Sequence, residues 1–140
     1  MNRGMAKPST ELLRGIRLFS GLEEKDLASL AEEFNERRFS AGDTIALEGS
    51  GGLMFFVVQS GEATVEVHGD EVGRLGPGDS FGEIALIDRR PRTATVKAAS
   101  DLVCFGLPVF VFRPFVEARP QVAWALLEAM ADRLEVAEAR

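Results

Sequence analysis

The chain has 140 residues, enough for one domain with its own core. With 22 acidic against 16 basic side chains its net charge is −6, which disfavours a nucleic acid polymer as partner. Apolar residues at 46% exclude a disordered chain, and no run approaches the roughly 18 apolar residues of a membrane span. The single cysteine, Cys104, excludes an internal disulfide and reads as a small buried hydrophobe. The single histidine, His68, reads as a surface residue and cannot supply a multi-histidine metal site. No secretory leader is visible, so a cytoplasmic location is expected.

In chain order, residues 1–8 are small and polar and are expected to be flexible. A short helix is expected over 11–17, with Leu12, Leu13 and Ile16 on one side. Ser20, with Glu23 three residues on, forms a capping box and predicts a helix over about 22–37. Its apolar face would be Leu27, Leu30, Ala31 and Phe34, and Glu36, Arg37 and Arg38 would lie on its solvated side. From Phe39 the period changes to short β-branched and aromatic runs cut by glycines, predicting strands over 44–48, 54–59, 63–67, 71–75, 80–81, 93–98 and 102–107. Phe39–Ser40 can open one more. Many short strands with regular turns argue for a barrel or sandwich. The runs Ala41-Gly42-Asp43-Thr44 and Pro77-Gly78-Asp79-Ser80 echo each other and read as similar turns feeding two strands. After Leu107 the pattern is helical again. Pro114 predicts a short helix beginning near 111–113, and Pro120 starts a last one over about 120–138. That helix has two adjacent apolar rows, Trp124, Leu127, Ala131 and Leu134 beside Val122, Leu126 and Met130.

The chemistry is concentrated in 81–96, FGEIALIDRRPRTATV. Gly82 lets the backbone turn where a side chain would obstruct. Residues 83–87 are about one helical turn long, and a helix start offers unpaired N–H groups to an anion. Arg92 adds a planar charged fork. Glu83 cannot serve a phosphate; an ionised carboxylate accepts hydrogen bonds, so a hydroxyl is its natural partner. Phosphate and hydroxyl on one small molecule describe a sugar phosphate. Between Glu83 and Lys97 four cationic side chains face two anionic ones, a local +2 in an acidic protein, which suits a small anion better than DNA.

This string closely resembles the phosphate-binding cassette of cyclic nucleotide-binding domains, F-G-E-[LI]-A-L, a spacer, then R-[TSA]-A-T-V, with every fixed position and the spacer length matched. The turns at 41–44, 60–62 and 77–80 also resemble turns of that family, so the resemblance runs from about Leu18 to the end. It implies an α+β fold: an eight-stranded antiparallel β jelly roll (39–107) with N-terminal helices (11–37), a short phosphate-cassette helix and C-terminal lid helices (109–138), in a single domain over 9–140. It implies that Glu83 holds the ribose 2′-hydroxyl and Arg92 the cyclic phosphate. The amides near Gly82, Glu83, Ile84, Ala85 and Ala94 would line the anion, Phe81 would open the cassette, and Thr93 would sit beside phosphate and base. Val72, Leu75, Arg133 and Leu134 are the candidates for touching the base. The resemblance implies cAMP or cGMP as the ligand, with no cofactor, no metal and no catalytic residue.

The expected function is a regulatory sensor whose C-terminal helices rearrange when a cyclic nucleotide binds. A metal-dependent enzyme on the same scaffold would need several His and carboxylate ligands, which one His makes weak. A transcription regulator would need a helix-turn-helix module beyond the last sensor helix, so this chain alone is not expected to contact nucleic acid, nor a membrane. A partner-binding or dimerisation domain of the same fold that has lost its ligand is the remaining alternative, against which Glu83 and Arg92 stand. Expected partners beyond the nucleotide are an effector domain or a second copy through the C-terminal helix.

Overall fold

A computed structural model describes residues 6–46, 49, 54–82, 86 and 94–138, except the side chains of 133 and 135–138. Helix α1 (Thr10–Arg14) begins where the Ser9 hydroxyl accepts the Leu12 N–H at 3.0 Å, and a 3₁₀ turn follows at Arg17–Phe19. Helix α2 is Glu24–Ala31, shorter than the 22–37 expected. Ser20 does not cap it: its hydroxyl donates back to the Arg17 carbonyl at 2.8 Å, and Glu23 is the N-cap residue, without a side-chain capping bond. The helix stops because the chain tightens into turns from Glu33 to Leu30 and Phe34 to Ala31, and Asn35–Phe39 is then drawn into a sheet as β1. Lys7 Nζ donates to the Glu32 and Phe34 carbonyls at 2.9 and 2.8 Å, satisfying the C-cap acceptor of the helix and one in the turn that follows. Glu36 therefore lies on a strand, its side chain mostly buried and paired with Arg38, not on a solvated helix face.

Strands β2 (Thr44–Ala46), β3 (Met54–Ser60), β4 (Ala63–Val67), β5 (Asp70–Leu75), β6 (Ser80–Phe81), β7 (Thr95–Ala98) and β8 (Leu102–Pro108) complete two antiparallel four-stranded sheets among the described residues. Their orders are β1-β8-β3-β6 and β2-β7-β4-β5. The central strands of the first sheet, β3 and β8, are buried on both faces, so they read as continuous apolar runs. From β3 and β8, Phe55, Val57, Phe105 and Leu107 join the helices in one core, whereas Phe56, Val58, Leu102 and Cys104 join Ala63, Val96 and Ala98 of the second sheet in another. In the helical core the Phe55 ring meets Phe19 and Phe34 edge to face at 5.7 and 6.2 Å. Cys104 is fully buried as expected, and burial pushes its thiol pKa up from 9.0 to about 12.

The two echoing turns are alike in detail. Gly42 and Gly78 both have φ near +90°, and the Asp43 and Asp79 carboxylates each accept the N–H of the residue three before, Ser40 and Gly76, at 2.8 Å. Helix α3 (Val109–Glu117) starts two or more residues earlier than Pro114 led one to expect. Proline is its sixth residue, and the N–H it lacks would have gone to Phe110, which is on the solvent side, so the loss is tolerated while Val109, Phe112 and Phe115 stay buried. Helix α4 (Pro120–Glu138) begins at its proline as expected. It seats Val122 and Leu126 in the helical core; the other row, Trp124, Leu127 and Leu134, is uncovered. Among the described residues no helix is long and apolar enough to cross a membrane.

Candidate functional site

The segment singled out in the sequence connects the two sheets. It leaves the first sheet from β6, an edge strand of two residues held to β3 by the pairs Phe56↔Phe81 and Val57↔Ser80. The entry to β6 is locked by the preceding turn, where Gly78 N–H donates to the Val58 carbonyl and Val58 N–H to the Asp79 carbonyl, at 2.9 and 2.8 Å. Phe81 stacks on Phe56 with centroids 5.1 Å apart. Gly82 follows at φ +85°, a left-handed conformation that a side chain would resist, so glycine is required for the chain to leave the strand in this direction. Leu86 is buried in the core beneath the helices. The chain rejoins at Ala94 and enters the interior of the second sheet as β7, between β2 and β4. A segment so anchored touches both cores, through Leu86 in the helical one and Phe81 on the one between the sheets.

Beside the start of β7 stands the β4–β5 hairpin. Its tip, His68–Gly69, has both φ values positive, +53° and +85°, the backbone of a two-residue hairpin turn. Val65 pairs with Gly73 and Glu66 with Glu71, so Val72 is the extra residue of a β-bulge, a device that re-aims a side chain. Val72 is 62% exposed, while Leu75 packs with Phe81 on the core between the sheets. By alternation Val65 and Val67 share the face of buried Ala63 yet are only half-buried, so an incompletely covered apolar wall adjoins the segment's return. The opposite face of this sheet is charged: Lys97 pairs with Glu66 at 3.5 Å, and Arg74 with Glu71 and Glu62 at 3.1 and 3.4 Å.

Of the expected site residues, Phe81, Gly82 and Ala94 bracket the segment, and Leu75 shares a core with Phe81. Glu83, Ile84, Ala85, Arg92 and Thr93 lie outside the described residues, as does the expected cassette helix apart from Leu86. Leu134 is 65% exposed on α4 and packs on neither core, and the side chain of Arg133 lies outside the described residues. The sequence reading missed Phe56 and Gly106, which fix Phe81 from behind. The only signal was the Phe55-Phe56 pair, in which one ring had to face each core. A polar cleft of about 350 Å³ opens at the end of the first sheet away from the helices, beside Arg38, Ser40, Asp43 and Asp101. Its carboxylates already accept the backbone N–H groups of Ser40 and Ala41. Among the described residues no group of three or more His, Cys, Asp or Glu is placed to hold a metal ion.

Compared with known proteins, residues 36–119 match the model of the cyclic nucleotide-binding domain. The chain is 36% identical over 96 residues to a cAMP-dependent protein kinase regulatory subunit of Yarrowia lipolytica, an alignment covering 69% of this chain and 26% of that protein. It thus spans about a quarter of the length of such curated relatives. Among solved structures it resembles the N-terminal domain of a transcriptional regulator from Streptomyces coelicolor A3(2), with 32% identity, a TM-score of 0.85, and coverage of 90% of this chain and 94% of that one. It also resembles the Thermus thermophilus catabolite activator protein, with 30% identity, a TM-score of 0.72, and coverage of 88% and 60%.

Proposed function

The chain belongs to the cyclic nucleotide-binding domain family, and from that premise we propose that it binds cAMP or cGMP between the 81–94 segment and the second sheet, and passes the event on through α4. The observation that carries this reading is the segment itself: it joins the two sheets between left-handed Gly82 and Ala94, with Leu86 planted in the helical core. Arg92 pairs with the cyclic phosphate and Glu83 accepts from the ribose 2′-hydroxyl. Backbone amides at Gly82, Glu83, Ile84, Ala85 and Ala94 complete the anion cradle, and Thr93 stands between phosphate and base. Val72 and Leu75 supply apolar surface to the purine from one side. Leu134, with Arg133, reaches it from α4 when that helix folds over as a lid in the bound state. The activity is binding and signalling, with no catalytic step. The effector is a further domain or a separate protein. Titration with a fluorescent cyclic nucleotide, displaced by unlabelled cAMP and cGMP, tests the reading; saturable, displaceable binding supports it and its absence refutes it.

A second reading competes with the first for Leu134. Trp124, Leu127 and Leu134 are 68%, 55% and 65% exposed, and with Ala131 they recur at steps of three and four on α4. That is the spacing of a two-helix seam, which favours a homodimer through α4.

A further inference from the structure

We infer that Phe56 and Gly106, neither of which is placed to touch nucleotide, are positioning residues for the ligand segment, and that they set the ribose contact in particular. The inference rests on the reading of Glu83 given above. Strand β6 has only two residues; its pairing and the bonds of the turn before it hold its backbone along β3, and leave the Phe81 side chain to be fixed by packing. What fixes Phe81 from behind is the Phe56 ring, 5% exposed, stacked on it at 5.1 Å with 28° between planes and itself in an edge-to-face contact with Phe39 at 6.1 Å. Gly106, opposite Phe56 in the ladder with β8, makes room for that ring. A Cβ at Gly106 would lie 2.7 Å from Met54 Cε, 3.0 Å from Phe56 Cε1 and 3.3 Å from Cδ1, so a side chain there moves the Met54 methyl aside and makes the ring give by a few tenths of an ångström. The displacement passes to Phe81 and Gly82, and Glu83 follows directly in the chain. A carboxylate hydrogen bond depends steeply on distance and angle, whereas apolar contacts with the base tolerate small shifts.

The test compares cAMP with 2′-deoxy-cAMP, which lacks the hydroxyl, on wild-type protein and on Gly106→Ala, Phe56→Leu and Val58→Ala. Val58 is fully buried in the same core as Phe56, and it holds the turn before β6 through its backbone only, so truncating its side chain leaves those bonds in place and reports stability. The expected result is a wild-type preference for cAMP that narrows by about fivefold or more in Gly106→Ala and Phe56→Leu, part of one charged hydrogen bond. In Val58→Ala the preference stays while the melting temperature falls. If Gly106→Ala does not fold, Phe56→Leu carries the test. A wild-type protein with no preference between the two ligands overturns the Glu83 reading and the inference with it. A wild-type preference retained in full by both variants overturns the inference alone.

Discussion

Gln121, in the first turn of α4, donates through Nε2 to the Asp26 carboxylate of α2 at 3.3 Å. Asp26 is 5% exposed, so this bond across 95 residues satisfies a carboxylate that water barely reaches, and it ties the base of α4 to the N-terminal helices. Asp26→Ala and Gln121→Ala should each destabilise the fold, Gln121→Ala by about 1–3 kcal/mol because it leaves the buried carboxylate unsatisfied. The double variant should lose less than the sum. Urea denaturation of all four proteins checks this; strict additivity would mean that the two side chains stabilise independently.

Cys104 holds its proton to about pH 12 in the folded protein, against 9.0 ordinarily, because burial penalises the thiolate. Its folded pKa is raised, so below pH 9 it contributes no pH dependence. From there up to about 12 the unfolded chain releases a proton that the folded one keeps, and stability falls with rising pH by up to about 1.4 kcal/mol per unit. Denaturation midpoints between pH 8 and 11 should fall more steeply for wild type than for Cys104→Ala. A thiol reagent should label the native protein only as fast as it opens.

The uncovered row on α4 gives two separable outcomes. Leu127→Asp, 55% exposed in the native chain, should leave the fold intact and remove any dimer in analytical ultracentrifugation. A wild-type protein that is monomeric at high micromolar concentration would refute the seam.

Removal of residues 131–140 should leave both sheets folded, because Val122 and Leu126 keep the remaining part of α4 in the core. Cyclic nucleotide should then dissociate about tenfold faster, the scale of losing one buried apolar side chain. Stopped-flow displacement reads this directly. An unchanged rate would mean that Leu134 is no lid.

Much of the fold could be read from the residues because turns and periodicity agreed. Strands 63–67 and 80–81 end where predicted, at positive-φ glycines Gly61 and Gly82 or at the His68–Gly69 turn and the Gly78–Asp79 turn. Asn35–Phe39 was misread because NERRF carries no alternating apolar signal; its strand is specified by pairing with Leu102–Gly106 of β8, a tertiary effect. Pro114 was misjudged for the reason that propensity is local: three buried side chains of α3 outweigh one missing hydrogen bond. The sequence also showed two apolar rows on α4 without showing which one the core would take. For the site, the motif pointed to a segment and a ligand class, and the structure adds how that segment is anchored. The role of Phe56 depends on a ring stacking between strands far apart in sequence, which no local pattern encodes.

Cyclic nucleotide binding should depend on Arg92 more than on any other side chain of the 81–96 segment. Calorimetric titration of cAMP and cGMP should show one site per chain in wild type. Arg92→Ala should weaken it by on the order of 2–5 kcal/mol, as for removing one partner of a buried charge pair. That is roughly thirtyfold to several thousandfold, while Arg89→Ala and Arg90→Ala change it little. Absence of binding by wild type, or equal losses at all three arginines, would contradict the account.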